Sequence, residues 1–408
     1  MGVLVKIAII GQGYVGLNLA MGAAKVGHHV VGLEISEILV SELLNSKTFI
    51  PGIQEKVLSE LLRSGHYIPT TNAELINGAD AVIIAVPTPL DSNRKPDLSY
   101  LERACSIIAK NVNNKTLIVN ESTSYPGTLR NVIKKIIELN SKVEFLYASA
   151  PERIDPGNKN WNLANTPRVI SGLTNEASKL ASEIYRSFCA EVYEVSTPEV
   201  AEASKLFENT FRQINIALAN EFAIISKILG FSATEAISAA STKPFGFMPF
   251  FPSIGVGGHC IPVDPSYLSY AAELAGGKAQ FIDLANSTNL SMAKHTVNGI
   301  KDFLKGKIMG KLVQVAGISY KPDVPDLRES PSLQLIAELE GEGAKVIWSD
   351  PVVNEYNGVK SSELNPNIDL GLLVVPHKSF DFSIWKNAGT VVLDLSSNPT
   401  DYGWPKYF

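Results

Sequence analysis

Strand and helix runs alternate at both ends of the chain, with one long uninterrupted helical stretch between them. This predicts an α/β protein, two parallel-sheet lobes joined by a long central helix. Short, continuously apolar runs separated by helical stretches are the pattern of a parallel sheet covered on both faces. From Pro198 to about Leu229 there is no further Pro and no Gly, and apolar residues recur at helical spacing. Beyond about Lys311 the alternating pattern returns.

Taken in order, residues 5–10 form a strand, 14–26 a helix and 29–33 a second strand. Residues 81–86, 116–120 and 145–148 are further buried strands. Pro198 suits the first helical position, where a missing N–H costs nothing. A helix of some 30 residues outspans one small domain, so it bridges two. Residues 243–265 are dense in Pro, Gly and Phe and form a long ordered loop, a kind usually tied to function. In the last part, 311–317, 345–349, 371–375 and 390–395 are strands and 332–339 is a helix. At roughly 150 residues per domain, a chain of 408 holds two or three, and the pattern divides it at 1–196, 197–300 and 301–408.

Apolar residues make up 45% and charged residues 19%, which excludes a disordered chain. Lys and Arg total 36 against 41 Asp and Glu, a net charge of −5, whereas a general polyanion binder is basic. Nucleic acid is therefore not an expected partner, and any bound phosphate belongs in a local pocket. No apolar run approaches the roughly 18–20 residues that cross a bilayer, so no membrane partner is expected. The amino end lacks the basic start and longer apolar stretch of a signal peptide. Cys105, Cys189 and Cys260 lie far apart with no Cys-x-x-Cys pair, which suits neither a disulfide framework nor a zinc site. The histidines show no metal-ligand spacing, so no metal is expected. A cytoplasmic, reducing compartment is the expected setting.

Gly11-Gln12-Gly13-Tyr14-Val15-Gly16 follows the first strand and opens the first helix. The first Gly permits a tight turn, the second lets backbone approach a pyrophosphate, and the third lets helix and strand pack closely. Alone the pattern also fits a packing turn without ligand. Here Glu34 closes the second strand, where a carboxylate accepts hydrogen bonds from ribose hydroxyls and repels a 2′-phosphate. NAD is thus the expected cofactor, preferred over NADP, on a Rossmann-like lobe. The final lobe has Asp350 at a matching strand end, but Gly317-Ile318-Ser319-Tyr320-Lys321-Pro322 lacks the glycine pattern. It reads as a related fold that holds no dinucleotide.

Cys260 lies in Gly255-Val256-Gly257-Gly258-His259-Cys260-Ile261-Pro262-Val263-Asp264-Pro265. A lone Cys is often a small buried hydrophobe, the reading given to Cys105 and Cys189 within helical stretches. Cys260 also reads as a nucleophile, because glycines give close access and His259 and Asp264 can tune a thiolate. A Cys–His hydrolase remains open on chemistry alone, although a hydrolase needs no dinucleotide fold. Glu202, Lys205, Asn209 and Arg212 fall on one face of the long helix. That is either a solvated stripe or a functional row; the neighbouring Ala201, Leu206, Phe207, Phe211 and Ile214 argue for burial. Glu121-Ser122-Thr123 and Pro151-Glu152-Arg153 follow strands, where α/β proteins bind ligands.

These elements in this order resemble the UDP-glucose/GDP-mannose dehydrogenase family over nearly the whole chain. The segments that carry the likeness are 11–16, Val86-Pro87-Thr88-Pro89, 121–127, 151–157, 202–209, 255–265 and 320–332. The closest likeness is to UDP-N-acetylglucosamine 6-dehydrogenases, through Pro-Glu-Arg-x-x-Pro-Gly at 151–157, the Phe-rich run 243–250 and His259. UDP-glucose dehydrogenases carry a second glutamate where this chain has Pro156. The resemblance implies four-electron oxidation of a sugar C6 alcohol by NAD through a Cys260 thiohemiacetal and thioester. It assigns Lys205 to oxyanions, Asn209 and Asp264 to the water or the lysine, Glu152 to general-base work and Thr123 to ordering a water. Gly11, Gly13, Tyr14, Val15, Gly16, Glu34, Pro87, Thr88, Ser122, Thr123 and, from the last domain, Arg328 are implied to hold NAD. Glu152, Arg153, Lys205, Asn209, Gly257, His259, Phe250, Tyr320 and Lys321 are implied to meet the UDP-sugar, Phe245 and Phe247 to line the uridine, and Arg212 to reach it across a homodimer formed by the central helical domain. UDP-N-acetylmannosamine and then UDP-glucose are the alternative substrates. A non-catalytic dinucleotide sensor is a different class, which retention of Cys260, Lys205, Asn209 and Asp264 together argues against.

Overall fold

The structure, a computed structural model, describes residues 4–48, 50, 52–154, 158, 160–397 and 400–408. It divides into two compact bodies, Met1–Glu208 with Ser266–Gly277, and Asn209–Pro265 with Lys278–Phe408.

In the first body the strands are β1 (Lys6–Ile10), β2 (His29–Leu33), β3 (Tyr67–Thr70), β4 (Ala81–Ile84), β5 (Leu117–Asn120), β6 (Leu146–Ser149), β7 (Arg168–Gly172) and β8 (Val192–Glu194). Between them lie α1 (Tyr14–Lys25), α2 (Glu37–Leu44), α3 (Glu55–Arg63), α4 (Ser99–Asn111), α5 (Lys134–Asn140) and α6 (Asn175–Arg186). The strands form one sheet in the order β3-β2-β1-β4-β5-β6-β7-β8. Parallel pairing of β1 with both β2 and β4 puts a switch point between β1 and β4, which opens a crevice at the carboxyl ends. Only the β6–β7 pair is antiparallel, so β7 and β8 run against the rest.

Alternation along the strands builds a core on each face. Ile7, Ile9, Leu117 and Val119 pack with Leu17 and Ala20 of α1; Ala8, Ile10, Val82 and Ile118 pack with Leu101, Cys105 and Ile108 of α4. Each fully buried Ile or Leu contributes about 1.5–3 kcal/mol. The sequence pattern misses β3, β7 and β8. β3 carries Pro69 and is tolerated because it is an edge strand; β7 opens on a charged residue, and β8 has three residues and little burial.

Helix α7 (Pro198–Leu229) contributes to both bodies. Thr197 Oγ1 accepts the Val200 N–H at 3.4 Å at its start. The rest comprises α8 (Ala233–Ala240), α9 (Asp264–Leu274), α10 (Gln280–Phe303), β9 (Leu312–Ala316), α11 (Pro331–Gly341), β10 (Lys345–Ser349), a hairpin of β11 (Glu355–Tyr356) and β12 (Val359–Lys360), β13 (Leu370–Leu373), α12 (Ser383–Ala388) and β14 (Val392–Asp394). The second sheet is parallel throughout, in the order β10-β9-β13-β14. Val313, Val315 and Leu372 pack on one face with Met292, Val297 and Leu335, and Leu373 packs on the other with Trp385. No helix or strand lies between Ala240 and Asp264, in keeping with the predicted loop, whose last two residues instead open α9.

Two expectations need correction. Cys189 is buried but sits in the turn after α6, not in the helix. Ala201 and Leu206 are buried, whereas Phe207 and Phe211 are exposed, so the apolar flank of α7 is only half covered within one chain.

Candidate active site

Gly11 leaves β1 with φ +92°, and a Cβ there would lie 2.5 Å from the Ala85 carbonyl oxygen, so conformation and the neighbouring strand both demand glycine. A Cβ at Gly16 would meet the Gly11 oxygen at 1.8 Å, which is the close helix–strand packing expected of the third glycine. At Gly13, by contrast, nothing lies within 4 Å of a Cβ. The amino end of α1, with Tyr14 and Val15 half-buried, has no side-chain cap and no acidic residue in its first turn. Open space beside the positive end of a helix fits a dinucleotide pyrophosphate.

Glu34 is half-buried and ties this turn to the end of β2. It accepts Gln12 N at 2.9 Å, Ile35 N at 2.8 Å and Ser36 N at 3.1 Å. A carboxylate has roughly four lone-pair sites, so capacity remains for a ribose hydroxyl. Gln12 is buried beneath, its amide donating to Ile9 O and Gly11 O at 2.9 Å and accepting the Tyr67 hydroxyl at 2.8 Å.

The ends of β4, β5 and β6 are laced together. Ser122 Oγ bonds both the N–H and the carbonyl of Val86 at 2.9 Å, and Glu121 N donates to Ile84 O at 2.9 Å. Glu152 N donates to Glu121 O at 3.3 Å. This gathers Thr88 (buried), Pro87 (exposed), Ser122, Thr123 (half-buried) and Glu152 (buried) at one sheet edge. Asp155, Pro156 and Gly157, the rest of the Pro-Glu-Arg segment, lie outside the described residues. Arg153 forks onto Glu208 at 2.7 and 3.2 Å and donates to Pro167 O at 2.8 Å, so its charge is already matched within the body.

Behind Glu152 lies a buried charged cluster. The Arg168 guanidinium is 3.1 Å from Glu121 and 3.9 Å from Glu152, and the Tyr185 hydroxyl donates to Glu121 at 2.5 Å. Burial pushes the Glu121 carboxyl up to about 7, against Arg168, Tyr185 and the charge of Lys205, itself buried on α7. Burial also opposes the Arg168 charge, but Glu121 and Glu152 hold its pKa above the ordinary value. Sequence reasoning passes over Arg168 and Tyr185; the available signal is a charged residue heading the apolar run Val169-Ile170. One turn before Lys205, Glu202 is buried and accepts Gly127 N at 2.6 Å and Leu129 N at 2.9 Å. Burial pushes its carboxyl up to about 8 against those two bonds. Glu202, Lys205 and Asn209 of the helical row are therefore buried, and Arg212 is exposed.

In the second body Asn209 Nδ2 donates to Asp264 Oδ2 at 2.5 Å, both residues being buried. Asp264 N and Val263 N donate to the Cys260 carbonyl at 2.8 and 3.1 Å, fixing the cysteine in the turn that starts α9. Cys260 is exposed; Cys105 and Cys189 are buried, and burial pushes their thiols up to about 12 and about 11. A Cβ on Gly257 would lie 2.8 Å from Tyr320 Cβ, and one on Gly258 (φ +89°) 2.9 Å from the Tyr320 ring. These glycines thus admit Tyr320 to the cysteine loop, a reason the sequence does not reveal. Gly258 N also donates to Arg328 O at 3.0 Å. Gly257, His259, Tyr320 and Lys321 are all half-buried. The Arg328 guanidinium forks onto Asp326 at 2.6 and 3.0 Å. Phe250 packs edge-on against Phe211 at 5.9 Å, while Phe245 and Phe247 are exposed. No group of three or more metal-ligating side chains occurs among the described residues.

The chain matches the UDP-glucose/GDP-mannose dehydrogenase family in its NAD binding domain over residues 5–189, its central domain over 199–291 and its UDP binding domain over 314–397. It is 36% identical over 402 residues to the UDP-N-acetyl-D-mannosamine dehydrogenase of Methanocaldococcus jannaschii, covering 96% of this chain and 91% of that protein. It is 34% identical over 369 residues to the UDP-N-acetyl-D-glucosamine 6-dehydrogenase of Pseudomonas aeruginosa, covering 88% and 86%. The solved UDP-D-ManNAc dehydrogenase of Pyrococcus horikoshii matches with a TM-score of 0.87 at 32% identity, covering 98% of this chain and 97% of that one. With a glycine turn fitted to a pyrophosphate and all three domains matched, the chain belongs to the UDP-glucose/GDP-mannose dehydrogenase family and is an NAD-dependent nucleotide-sugar dehydrogenase.

Proposed function

We propose that this enzyme oxidises the C6 alcohol of UDP-N-acetylglucosamine to the carboxylate through a covalent intermediate on Cys260. The observation that carries the covalent route is the contrast among the thiols: Cys260 alone is exposed, on a turn fixed through Asp264. Two NAD molecules, held in turn at the 11–16 glycine turn and Glu34, would supply one hydride acceptor for each of the two oxidations. Loss of the first hydride and the hydroxyl proton leaves an aldehyde, which the Cys260 thiolate attacks to form a thiohemiacetal. Loss of a second hydride and a proton gives a thioester; water adds, the C–S bond breaks, and the acid and the thiol are released. The thiolate keeps a reactive aldehyde bound until the second oxidation.

Lys205, buried and close enough to Glu121 for its charge to be felt there, hydrogen-bonds the oxyanion in each step. Glu152 takes protons as the general base, Asn209 and Asp264 orient the water or the lysine, and Thr123 orders a water beside the nicotinamide. Gly11, Gly13, Gly16, Glu34, Thr88 and Ser122 hold the cofactor, and Arg328 closes on it. Tyr320 and Lys321 contact the UDP-sugar, with Lys321 offering a point charge to the diphosphate. Exposed Phe207, Phe211, Leu218, Ile225 and Ile228 recur along one face of α7 and support a homodimer through the central helical domain, with Arg212 reaching the partner's sugar. No helix among the described residues is long and apolar enough to cross a membrane. One exposed thiol and two buried, unpaired ones in the same chain suit the cytoplasm.

Substrate choice rests on His259, the 243–250 run and Pro156 in place of a second glutamate. UDP-N-acetylmannosamine is the second reading, favoured by the name that the Methanocaldococcus and Pyrococcus relatives carry. A pocket built for an acetamide leaves polar groups unpaired when glucose binds. In side-by-side assays at 340 nm, UDP-N-acetylglucosamine is expected to give the highest kcat/KM and UDP-glucose a lower one by about tenfold or more, the scale of one unpaired group. Preferential oxidation of UDP-glucose would place the enzyme on the other branch.

A further inference from the structure

The chain between β9 and α11 carries Tyr320 and Lys321 but contains no helix or strand, and its shape comes from backbone bonds such as Tyr320 N to Asp326 O at 2.9 Å together with side chains. One buried imidazole links both ends of the first turn in this segment. His377 Nε2 lies 3.1 Å from Asp350 Oδ2 and 3.1 Å from Ser319 Oγ, and its Nδ1 accepts Asp323 N at 2.9 Å. Because Nδ1 accepts, the proton resides on Nε2 and is donated toward Asp350. Asp350 Oδ2 in turn accepts Ile318 N at 2.8 Å and Ser319 N at 3.0 Å, and Ser319 Oγ donates to Lys321 O at 3.1 Å. At the far end Asp323 holds φ +62°, and its carboxylate accepts Lys378 N at 3.0 Å, from the residue after His377.

The arrangement contrasts with the first lobe. There Glu34 occupies the corresponding strand end half-buried and, among the described residues, bonds backbone N–H groups. Here Asp350 and His377 are each 2% exposed, and the carboxylate bonds the imidazole as well as the N–H groups of Ile318, Ser319, Val352 and Val353. Burial opposes the Asp350 charge, yet His377 and the Ser319 N–H hold its carboxyl below the usual range. An apolar side chain at 377 would leave the Asp323 N–H and one Asp350 bond unmade, and a residue at positive φ would lose one of its tethers, keeping the one through Lys378.

We propose that His377 is a positioning residue for nucleotide-sugar binding: by pinning Ser319 and Asp323 it fixes the turn that presents Tyr320 and Lys321 to the UDP-sugar. This rests on the reading of that turn as the UDP contact. The predicted signature is a split in the kinetics. His377→Phe raises KM for the UDP-sugar and weakens binding of UDP alone, measured by calorimetry, by about tenfold, the scale of one buried hydrogen bond left unmade. Its kcat at saturating UDP-sugar and its KM for NAD stay within about threefold of the parent. His377→Asn keeps an acceptor for Asp323 N and recovers part of the loss. Should the Phe variant fail to fold, His377→Asn and Ser319→Ala, each removing part of the network, carry the same split at smaller size. Lys321→Ala separates the two layers, because it removes the proposed contact itself. If Lys321→Ala weakens UDP binding and the folded 377 and 319 variants do not, the positioning role is overturned. If Lys321→Ala leaves UDP binding unchanged, the reading of the turn is overturned.

Discussion

Cys260→Ser is expected to abolish acid formation, with a loss on the order of a thousandfold or more, as when a nucleophile is removed from other covalent enzymes. A serine hydroxyl ionises far less readily than a thiol, and an ester intermediate hydrolyses less readily than a thioester, so both the trap and its release suffer. The controls are built into the chain. Burial pushes the thiols of Cys105 and Cys189 up to about 12 and about 11, so neither is a thiolate at neutral pH. Cys105→Ser and Cys189→Ser should keep near-parent turnover and lose only stability, about 1–3 kcal/mol for a hydroxyl set in an apolar site. Near-normal acid production by a folded Cys260→Ser enzyme would rule out the covalent route.

Arg168→Met should produce the largest loss of stability. Arg168 and Glu121 are fully enclosed, and the guanidinium is the cation that both Glu121 and Glu152 approach. Removing one partner of a buried pair strands the other, a cost of about 3–5 kcal/mol, which is a large share of a typical folding free energy. Glu121, already pushed up to about 7, will take a proton when Arg168 is gone, which offsets part of the cost. Glu121→Gln combined with Arg168→Met should therefore cost less than the two single changes added together. Urea midpoints of the four proteins give the cycle. Strict additivity, or an unchanged midpoint in Arg168→Met, would mean that the cluster carries no coupling.

The alternation of apolar runs made the strands next to the switch point legible, because a strand buried on both faces leaves a continuous apolar signature in β1, β2, β4 and β5. Helix α7 was legible through Pro198 and the lack of glycine. The edge strands β3 and β8 were not, because exposure removes that signature, and β7 was hidden because Arg168 reads as a surface residue until Glu121 is seen opposite it. At the site, the glycine turn could be read residue by residue, since each glycine answers a local demand. Gly257 and Gly258 could not, because their demand comes from Tyr320, about sixty positions along the chain. Likewise Glu202 read as a member of a polar row, whereas its carboxylate caps the Gly127–Leu129 turn through bonds no helical spacing reveals. Phe207 and Phe211 read as core, but one chain does not cover them.

The most direct measurement is the end-point ratio of NADH formed to UDP-N-acetylglucosamine consumed, taken at 340 nm with mass analysis of the sugar product. Four-electron oxidation through a Cys260 thioester predicts a ratio near two, with the uronic acid as product and no free aldehyde. A ratio near one, with aldehyde accumulating, would contradict it.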